Sequence, residues 1–170
     1  LSDDITGLLP VVDAGQGGLL GLTLDPQFES NRMVYWVFAE KVSGGNLTAV
    51  AKGKLSVDEK KIENATVIYR ATPAYDGTLQ YGGRIIFDKD GNLIVGGGER
   101  SAKEVRVQAQ QLNSALGKIF RITKDGQPVQ GNPFIGPAEA LPVMYSYGHL
   151  NVEGLAFDPQ TVDLWADEVG

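Results

Sequence analysis

Few side chains in this sequence have the chemistry of a catalytic site at neutral pH. The 170 residues include one histidine, His149, and no cysteine, which excludes thiolate nucleophiles and Cys-ligated zinc. His149 lies between Gly148 and Leu150 without a partner in sequence that completes a site, so the pattern favours a structural role for it.

Three glutamates, Glu40, Glu99 and Glu168, recur at equivalent places, each at the end of an apolar strand. Such carboxylates either face a channel or a cation, or form solvated strand ends, which is the commoner outcome. Calcium needs several converging oxygens, which a sequence does not place. The cluster Gly96 to Gly98 precedes no helix start and no Lys-Ser/Thr, so it predicts a close backbone approach or a bulge rather than a phosphate site.

The composition suits one acidic domain. The net charge is -6 and neither half of the chain is basic, which disfavours nucleic acid and anionic membranes as partners. No apolar run approaches the roughly 20 residues of a membrane span. The first residues resemble no signal peptide and lack an initiator Met, which indicates a processed or shortened chain.

The apolar residues form short β-branched and aromatic blocks bounded by Gly, Pro, Asn and Asp, which is typical of many antiparallel strands. Asp90-Gly91, between Phe87 and Leu93, predicts a hairpin turn. The one helix candidate is 102–113, where an ordered loop is equally compatible. The best strand candidates are 33–38, 84–87, 118–122 and 143–147.

The strand pattern repeats along the chain. The segment 21–26 (GLTLDP) matches 154–159 (GLAFDP), and 84–88 (RIIFD) is a looser third copy. Each full interval between the repeated aspartates holds four strand candidates, which is how the blades of a β-propeller recur. The alternative is a β-sandwich with coincidental similarity.

We therefore predict an all-β fold, a partial β-propeller of about two and a half four-stranded antiparallel blades in a single domain over 1–170. The blade-like units are 16–73, 80–147 and 150–170. Propellers typically close with 4–8 blades. Further blades are expected from a longer chain or from another copy of this one.

Five ordered motifs, which cover nearly all of the chain, resemble those of the soluble PQQ-dependent sugar dehydrogenases, that is, aldose sugar dehydrogenase and soluble glucose dehydrogenase. The motifs are 15–21 (GQGGLLG), 81–84 (YGGR), 116–119 (LGKI), 131–134 (GNPF) and 145–149 (YSYGH).

The resemblance implies a six-bladed propeller with pyrroloquinoline quinone (PQQ) over its channel, a calcium ion at the quinone, a small sugar as substrate and a periplasmic or secreted location. In the implied reaction a general base takes the proton of the anomeric hydroxyl while hydride passes to the quinone, which yields a lactone.

The resemblance also assigns site residues, unevenly. Gln16 and Asn151 match cofactor-contacting residues of the family, and both are retained. Gln80 stands where the family has its histidine base, and Leu150 where it has an arginine beside the quinone. Gly170 matches a glycine whose carbonyl binds calcium, with Val169 in place of a histidine before it.

These departures predict impaired catalysis. The amide of Gln80 hydrogen-bonds a sugar hydroxyl but holds no proton near pH 7, and Leu150 removes a permanent cation. The alternative is a catalytically silent propeller module that binds a sugar, a cofactor or a protein. A calcium-activated lactonase-type propeller is a weaker third alternative, because its set of metal carboxylates is not found.

Overall fold

The computed structural model describes residues 3–170 as three antiparallel sheets in chain order. The first sheet has the order β1-β2-β3-β4, the second β5-β6-β7-β8, and the third contains β9 and β10. The strands are β1 (Leu19–Leu24), β2 (Met33–Val42), β3 (Gly45–Leu55), β4 (Ile62–Arg70), β5 (Gly82–Phe87), β6 (Leu93–Gly97), β7 (Lys118–Ile122), β8 (Met144–Tyr147), β9 (Val152–Phe157) and β10 (Leu164–Glu168).

Successive sheets pack face to face through their first strands, β1 against β5 and β5 against β9. Tyr35 and Val37 of the first sheet share an apolar cluster with Ile85 and Phe120 of the second. The same arrangement recurs where Val152 packs in a cluster with residues of the second sheet. This radial repetition of four-stranded meanders is the partial β-propeller that the sequence predicts, and it excludes the two-layered sandwich.

The repeated positions have the same role in each sheet. Ile85 and Leu155 occupy equivalent places in the repeat, and both are buried against the preceding sheet. Leu22 is the matching residue of the first sheet and is 66% exposed, because no sheet precedes β1 within the described residues. The burial of this position is therefore set by the contact between neighbouring sheets, not by the strand itself.

The three repeated aspartates form turns. The Oδ1 atom of Asp88 accepts hydrogen bonds from the backbone N–H groups of Asp90 and Asn92, which closes the predicted hairpin. Asp25 and Asp158 accept backbone hydrogen bonds two residues ahead in the same way. These carboxylates fold the connection between the first and second strands of each sheet, as is typical of Asx turns.

The helix candidate 102–113 is replaced by two short pieces, α2 (Lys103–Arg106) and a 3-10 helix (Val107–Gln110); the remaining helix, α1, spans Phe28–Asn31. No side chain caps the start of α2. A regular helix over 102–113 would place Val105, Ala109 and Leu112 on one apolar face, but Ala109 is buried whereas Val105 and Leu112 are only partly buried. An ordered loop is the better description, because one buried alanine supplies too little packing to propagate a helix.

A buried cation fastens this loop to the second sheet. Lys118, at the start of β7, is fully buried, and its Nζ donates to the carbonyl oxygens of Gln108, Ala109 and Leu116 at 2.9, 2.9 and 2.7 Å. Burial lowers the pKa of Lys118 to about 8, because it penalises the charged ammonium.

This lowered pKa predicts a pH dependence of stability. An unfolded lysine keeps its proton up to about pH 10.4, so between the two pKa values the unfolded state binds more protons than the folded state. We expect the free energy of unfolding of the wild type to rise from pH 8 to pH 10.4, relative to Lys118→Met, by at most about 1.4 kcal/mol per pH unit. Denaturant titrations of both proteins measure this, and a difference that stays constant with pH would contradict the lowered pKa.

Among residues 3–170, no helix has both the length and the apolar character to cross a bilayer.

Candidate functional site

Gln16 and Gln80, 64 residues apart in sequence, meet at one end of the first two sheets. The backbone N–H of Gln80 donates to Oε1 of Gln16 at 2.7 Å, and the backbone N–H of Gln16 donates to the carbonyl of Thr78 at 2.8 Å. Gly15 has a φ of +61°, and a Cβ there would lie 2.6 Å from atoms of Thr78. The two loops therefore fit together only because position 15 carries no side chain.

Gln80 is held in a left-handed conformation, with φ of +47°. Its Oε1 atom is buried and has no hydrogen-bond partner within residues 3–170. A Cβ on Gly98 would collide with the carbonyl oxygen of Gln80, so the glycine cluster allows a close backbone approach, as the sequence predicts. An unpartnered buried amide oxygen is costly, and such atoms often mark a functional position.

Asn151 joins the second and third sheets. Its side chain is almost fully buried; Oδ1 accepts from the backbone N–H of Gly82 at 2.8 Å, and Nδ2 donates to Oε1 of Glu153 at 2.6 Å. Gly82 is two residues from Gln80, so Asn151 borders the same edge. Its contact with a cofactor stays a prediction.

Leu150 and Gly170 lie beside Asn151. The Leu150 side chain is 43% exposed, and its carbonyl accepts from the backbone N–H of Glu99 at 2.8 Å. A Cβ on Gly170 would collide with Cδ1 of Leu150, so these two residues are in contact. We use the term rim for the four residues Gln16, Gln80, Leu150 and Asn151. Of the five residues that the resemblance singles out, the structure joins Gln16 directly to Gln80 and Leu150 to Gly170, and Asn151 binds Gly82, two residues from Gln80.

His149 has two hydrogen-bond partners that its neighbours in sequence do not reveal. Its Nδ1 lies 3.2 Å from Oε1 of Glu168, and its Nε2 lies 2.8 Å from Oγ of Ser146. The other oxygen of Glu168 accepts from the backbone N–H of Leu150 at 2.7 Å. The acid comes from β10, 19 residues further along the chain, which is why no local pattern reveals it.

We use the term clamp for the hydrogen-bonded residues Ser146, His149 and Glu168. The clamp is structural and is not a nucleophilic triad. Acyl transfer needs backbone N–H donors free to stabilise an oxyanion. Three neighbouring amides are already engaged: Gly148 donates to Ala109, His149 to Gly117, and Leu150 to Glu168. The clamp therefore holds the turn that presents Leu150 and Asn151, which agrees with the structural role expected for His149.

The three recurrent glutamates have different surroundings, and none is simply a solvated strand end. Glu40 forms a two-pronged ion pair with Arg70, at 2.6 and 2.8 Å. Glu168 belongs to the clamp. Glu99 is 2% exposed; its Oε1 accepts from Ser101 N–H at 2.9 Å, whereas its Oε2 has no partner in the part of the chain that the structure describes. Burial raises the pKa of Glu99, and the hydrogen bond from Ser101 and the charge of Arg106 oppose that rise.

The described residues supply few metal ligands. Residues 3–170 contain no group of three or more His, Cys, Asp or Glu side chains placed to hold a metal ion. The predicted calcium ligand at Gly170 is a single carbonyl, and Glu168 nearby is engaged by His149 and Leu150. The role of Gly170 stays a prediction.

Sequence reasoning missed Arg100, which is 2% exposed and contacts the segment that carries Gln80. The position of Arg100 after a glycine cluster gives no sign of burial, since arginine is seldom buried.

Comparison with known proteins places these motifs in a family. A model of the glucose / sorbosone dehydrogenase family matches residues 1–170. The aldose sugar dehydrogenase YliI of Escherichia coli (strain K12) is 35% identical over 100% of this chain and 45% of its own length.

Solved structures agree. The apo form of the soluble aldose sugar dehydrogenase from Escherichia coli superposes with a TM-score of 0.92, at 34% identity over 99% of this chain and 48% of that one. The PQQ-bound form of an aldose sugar dehydrogenase from Streptomyces coelicolor gives 0.77, at 35% identity over 94% and 44%. The chain thus spans less than half the length of these relatives. It belongs to the glucose / sorbosone dehydrogenase family.

Proposed function

We propose that this chain forms one side of the cofactor bed of a PQQ-dependent aldose or glucose dehydrogenase, an oxidoreductase that converts the anomeric hydroxyl of a sugar into a lactone. The observation that carries the proposal is the convergence of Gln16, Gln80, Leu150 and Asn151 on one rim. The PQQ-bound relative supports the choice of cofactor. The sugar substrate follows from the family alone.

The rim has groups that suit PQQ, which carries carboxylates and quinone oxygens. Gln16 is exposed, and within residues 3–170 its side chain hydrogen-bonds only through Oε1, which leaves Nε2 able to donate. The amide of Gln80 is a second neutral donor, and the exposed Leu150 offers apolar surface to a flat ring. When bound, PQQ supplies the hydride acceptor. The rim binds and orients, and it contributes no permanent positive charge.

Calcium fits less well. The ion takes 6–8 oxygen ligands. The resemblance offers one, the carbonyl of Gly170, and residues 3–170 supply no cluster of carboxylates to complete the shell. The described residues do not form a calcium site on their own, and we assign no step of the reaction to this ion.

The replacement of the base sets the expected rate. The amide of Gln80 can orient a sugar hydroxyl, but it cannot remove its proton. Loss of a general base typically costs 10²–10⁴ in rate. We therefore propose that turnover by this chain is strongly impaired.

A catalytically silent propeller module is the second candidate, and Gln80 and Leu150 favour it. Such a module would bind a sugar, a cofactor or a protein through the same rim without chemistry. Addition of glucose to the PQQ-loaded protein separates the two candidates. A protein that retains slow turnover reduces the bound PQQ, whereas a silent module binds glucose and leaves PQQ oxidised.

The test is an assay of glucose oxidation with PQQ, calcium and an artificial electron acceptor. We expect little or no turnover by the wild type, with PQQ bound. Full turnover that Gln80→Ala abolishes would contradict the impaired dehydrogenase, since it would make the amide essential to proton removal. A matched control is Gln27→Ala, an exposed glutamine beyond the opposite end of β1.

The setting of this chain follows from the same family. We propose a periplasmic or secreted location, and further propeller blades supplied by a longer chain or by another copy.

A further inference from the structure

Among residues 3–170, Arg100 is a buried cation that forms no salt bridge with an acidic side chain. It is 2% exposed, and its guanidinium donates four hydrogen bonds, all to amide or carbonyl oxygens. Nε donates to the carbonyl of Leu79 at 3.0 Å, Nη1 to the carbonyl of Asn46 at 3.2 Å, and Nη2 to Oδ1 of Asn46 and the carbonyl of Gly77, both at 2.7 Å. The guanidinium also stacks on the Tyr81 ring, 3.9 Å from its centroid.

A buried charge of this kind is costly. Desolvation of a cation is only partly repaid by neutral oxygens, and apolar replacements of buried charges often leave stability unchanged or higher. The backbone of Arg100 has a φ of +71°, which residues other than glycine rarely adopt. Stability alone therefore gives no reason for arginine at this position, so the geometry of its contacts has to supply one.

Those contacts converge on residues 77–81, the irregular segment that carries Gln80. The guanidinium binds the carbonyls of Gly77 and Leu79, and the backbone N–H of Arg100 donates to the carbonyl of Gln80 at 3.2 Å. The Tyr81 hydroxyl has two acceptors within reach of its one hydrogen, Oδ1 of Asn46 at 2.7 Å and the carbonyl of Gly77 at 2.9 Å. The segment is thus tied at almost every residue.

The guanidinium of Arg100 is anchored at its other end by Asn46. Asn46 belongs to β3 of the first sheet, whereas Gln80 precedes β5 of the second. The planar guanidinium spans the two with several donors in one rigid fork, which a lysine ammonium on a flexible stem does not reproduce.

We propose that Arg100 is a positioning residue for Gln80. Its guanidinium bridges Asn46 and residues 77–81 and so sets the left-handed conformation in which the backbone N–H of Gln80 donates to Oε1 of Gln16. This positioning does not depend on the proposed function. Its importance for a sugar or a quinone rests on that function.

Hydrogen exchange of single amides, followed by NMR, tests the proposal. The probes are the backbone N–H groups of Gln16 and Gln80, which bond to Thr78 and Gln16. We expect both amides to exchange about tenfold faster or more in Arg100→Met and in Arg100→Lys, because a positioned segment opens locally once its ties are removed.

Lys118→Met is the matched control, because Lys118 is also a buried cation held only by carbonyls, yet touches none of residues 77–81. We expect it to leave exchange at Gln16 and Gln80 unchanged, whatever its effect on the overall free energy of unfolding. Equal acceleration in the Lys118 and Arg100 variants would show that Arg100 contributes only to the overall stability of the fold. Normal protection in Arg100→Lys would show that the positive charge matters and the planar guanidinium does not. Either result overturns the proposal.

A milder variant covers the case in which the Arg100 variants do not fold. Asn46→Ala keeps Arg100 and removes Oδ1, the side-chain oxygen of the first sheet that accepts from Nη2 of Arg100 and from the Tyr81 hydroxyl. Faster exchange at Gln16 and Gln80 supports the proposal, and unchanged exchange contradicts it.

Titration with PQQ separates the two claims. If the Arg100 variants show the expected exchange but the wild type does not bind PQQ, the positioning stands and the proposed function fails. If the wild type binds PQQ and the Arg100 variants match it in both affinity and exchange, the positioning fails and the proposed function stands.

Discussion

Replacement of Gln80 by histidine is expected to raise the rate of PQQ-dependent glucose oxidation by about 10²–10⁴. Position 80 then carries a group that accepts a proton near neutral pH, in a segment that already lies against Gln16 and Arg100. The measurement is kcat in the dye-coupled assay with PQQ and calcium at saturating sugar.

The pH profile identifies the cause. A neutral imidazole is the base, so the rate of Gln80→His should rise with pH through the pKa of the introduced histidine, about 6.5 when unperturbed. Gln80→Asn is the matched control, because it keeps an amide and should show no such rise. A rate in Gln80→His no higher than in Gln80→Asn would contradict the proposal that the missing base limits turnover by this chain.

Replacement of Leu150 by arginine is expected to tighten PQQ binding by about 10- to 100-fold, since hydrogen bonds to charged groups are worth about 1.5–3 kcal/mol. The Leu150 side chain is 43% exposed, and its backbone is held by Glu168 and Glu99, so a longer side chain extends from a fixed point. Calorimetric titration measures the dissociation constant.

The effect should depend on charge. Leu150→Met, a neutral side chain of similar volume, is the control and should bind PQQ like the wild type. The advantage of Leu150→Arg should shrink in high salt, because exposed charges are screened. Equal affinities for the arginine and methionine variants would show that position 150 does not face the quinone.

The strands and their repetition were predictable from the sequence, because strand patterning is local. Residues 118–122 are one short block rich in β-branched and aromatic side chains and form β7 as predicted, and Asp90-Gly91 forms its hairpin. The repeat of Asp25, Asp88 and Asp158 marked the sheets because each carboxylate folds the turn that follows it.

What the sequence did not reveal depends on contacts between distant segments. His149 finds Glu168 only after β10 returns beside β9, and Arg100 is buried only because Asn46 lies across the sheet boundary. The candidate helix 102–113 fails for the same reason, since Lys118 holds the loop through carbonyls that a regular helix would use itself.

The candidate site was predicted by motif rather than by spacing. Gln16 and Gln80 are separated by 64 residues, and nothing in composition or periodicity joins them. Family resemblance named both, together with Asn151. The contact between Gln16 and Gln80, and the bond from Gly82 to Asn151, show how the three loops share one edge.

Calorimetric titration of PQQ with calcium into the wild type, Gln16→Ala and Gln27→Ala tests most directly whether this rim is a cofactor bed. We predict binding by the wild type, unchanged binding by Gln27→Ala, and affinity about tenfold or more weaker in Gln16→Ala, through loss of an exposed amide donor. No heat of binding in the wild type, or equal affinity in all three proteins, would contradict it.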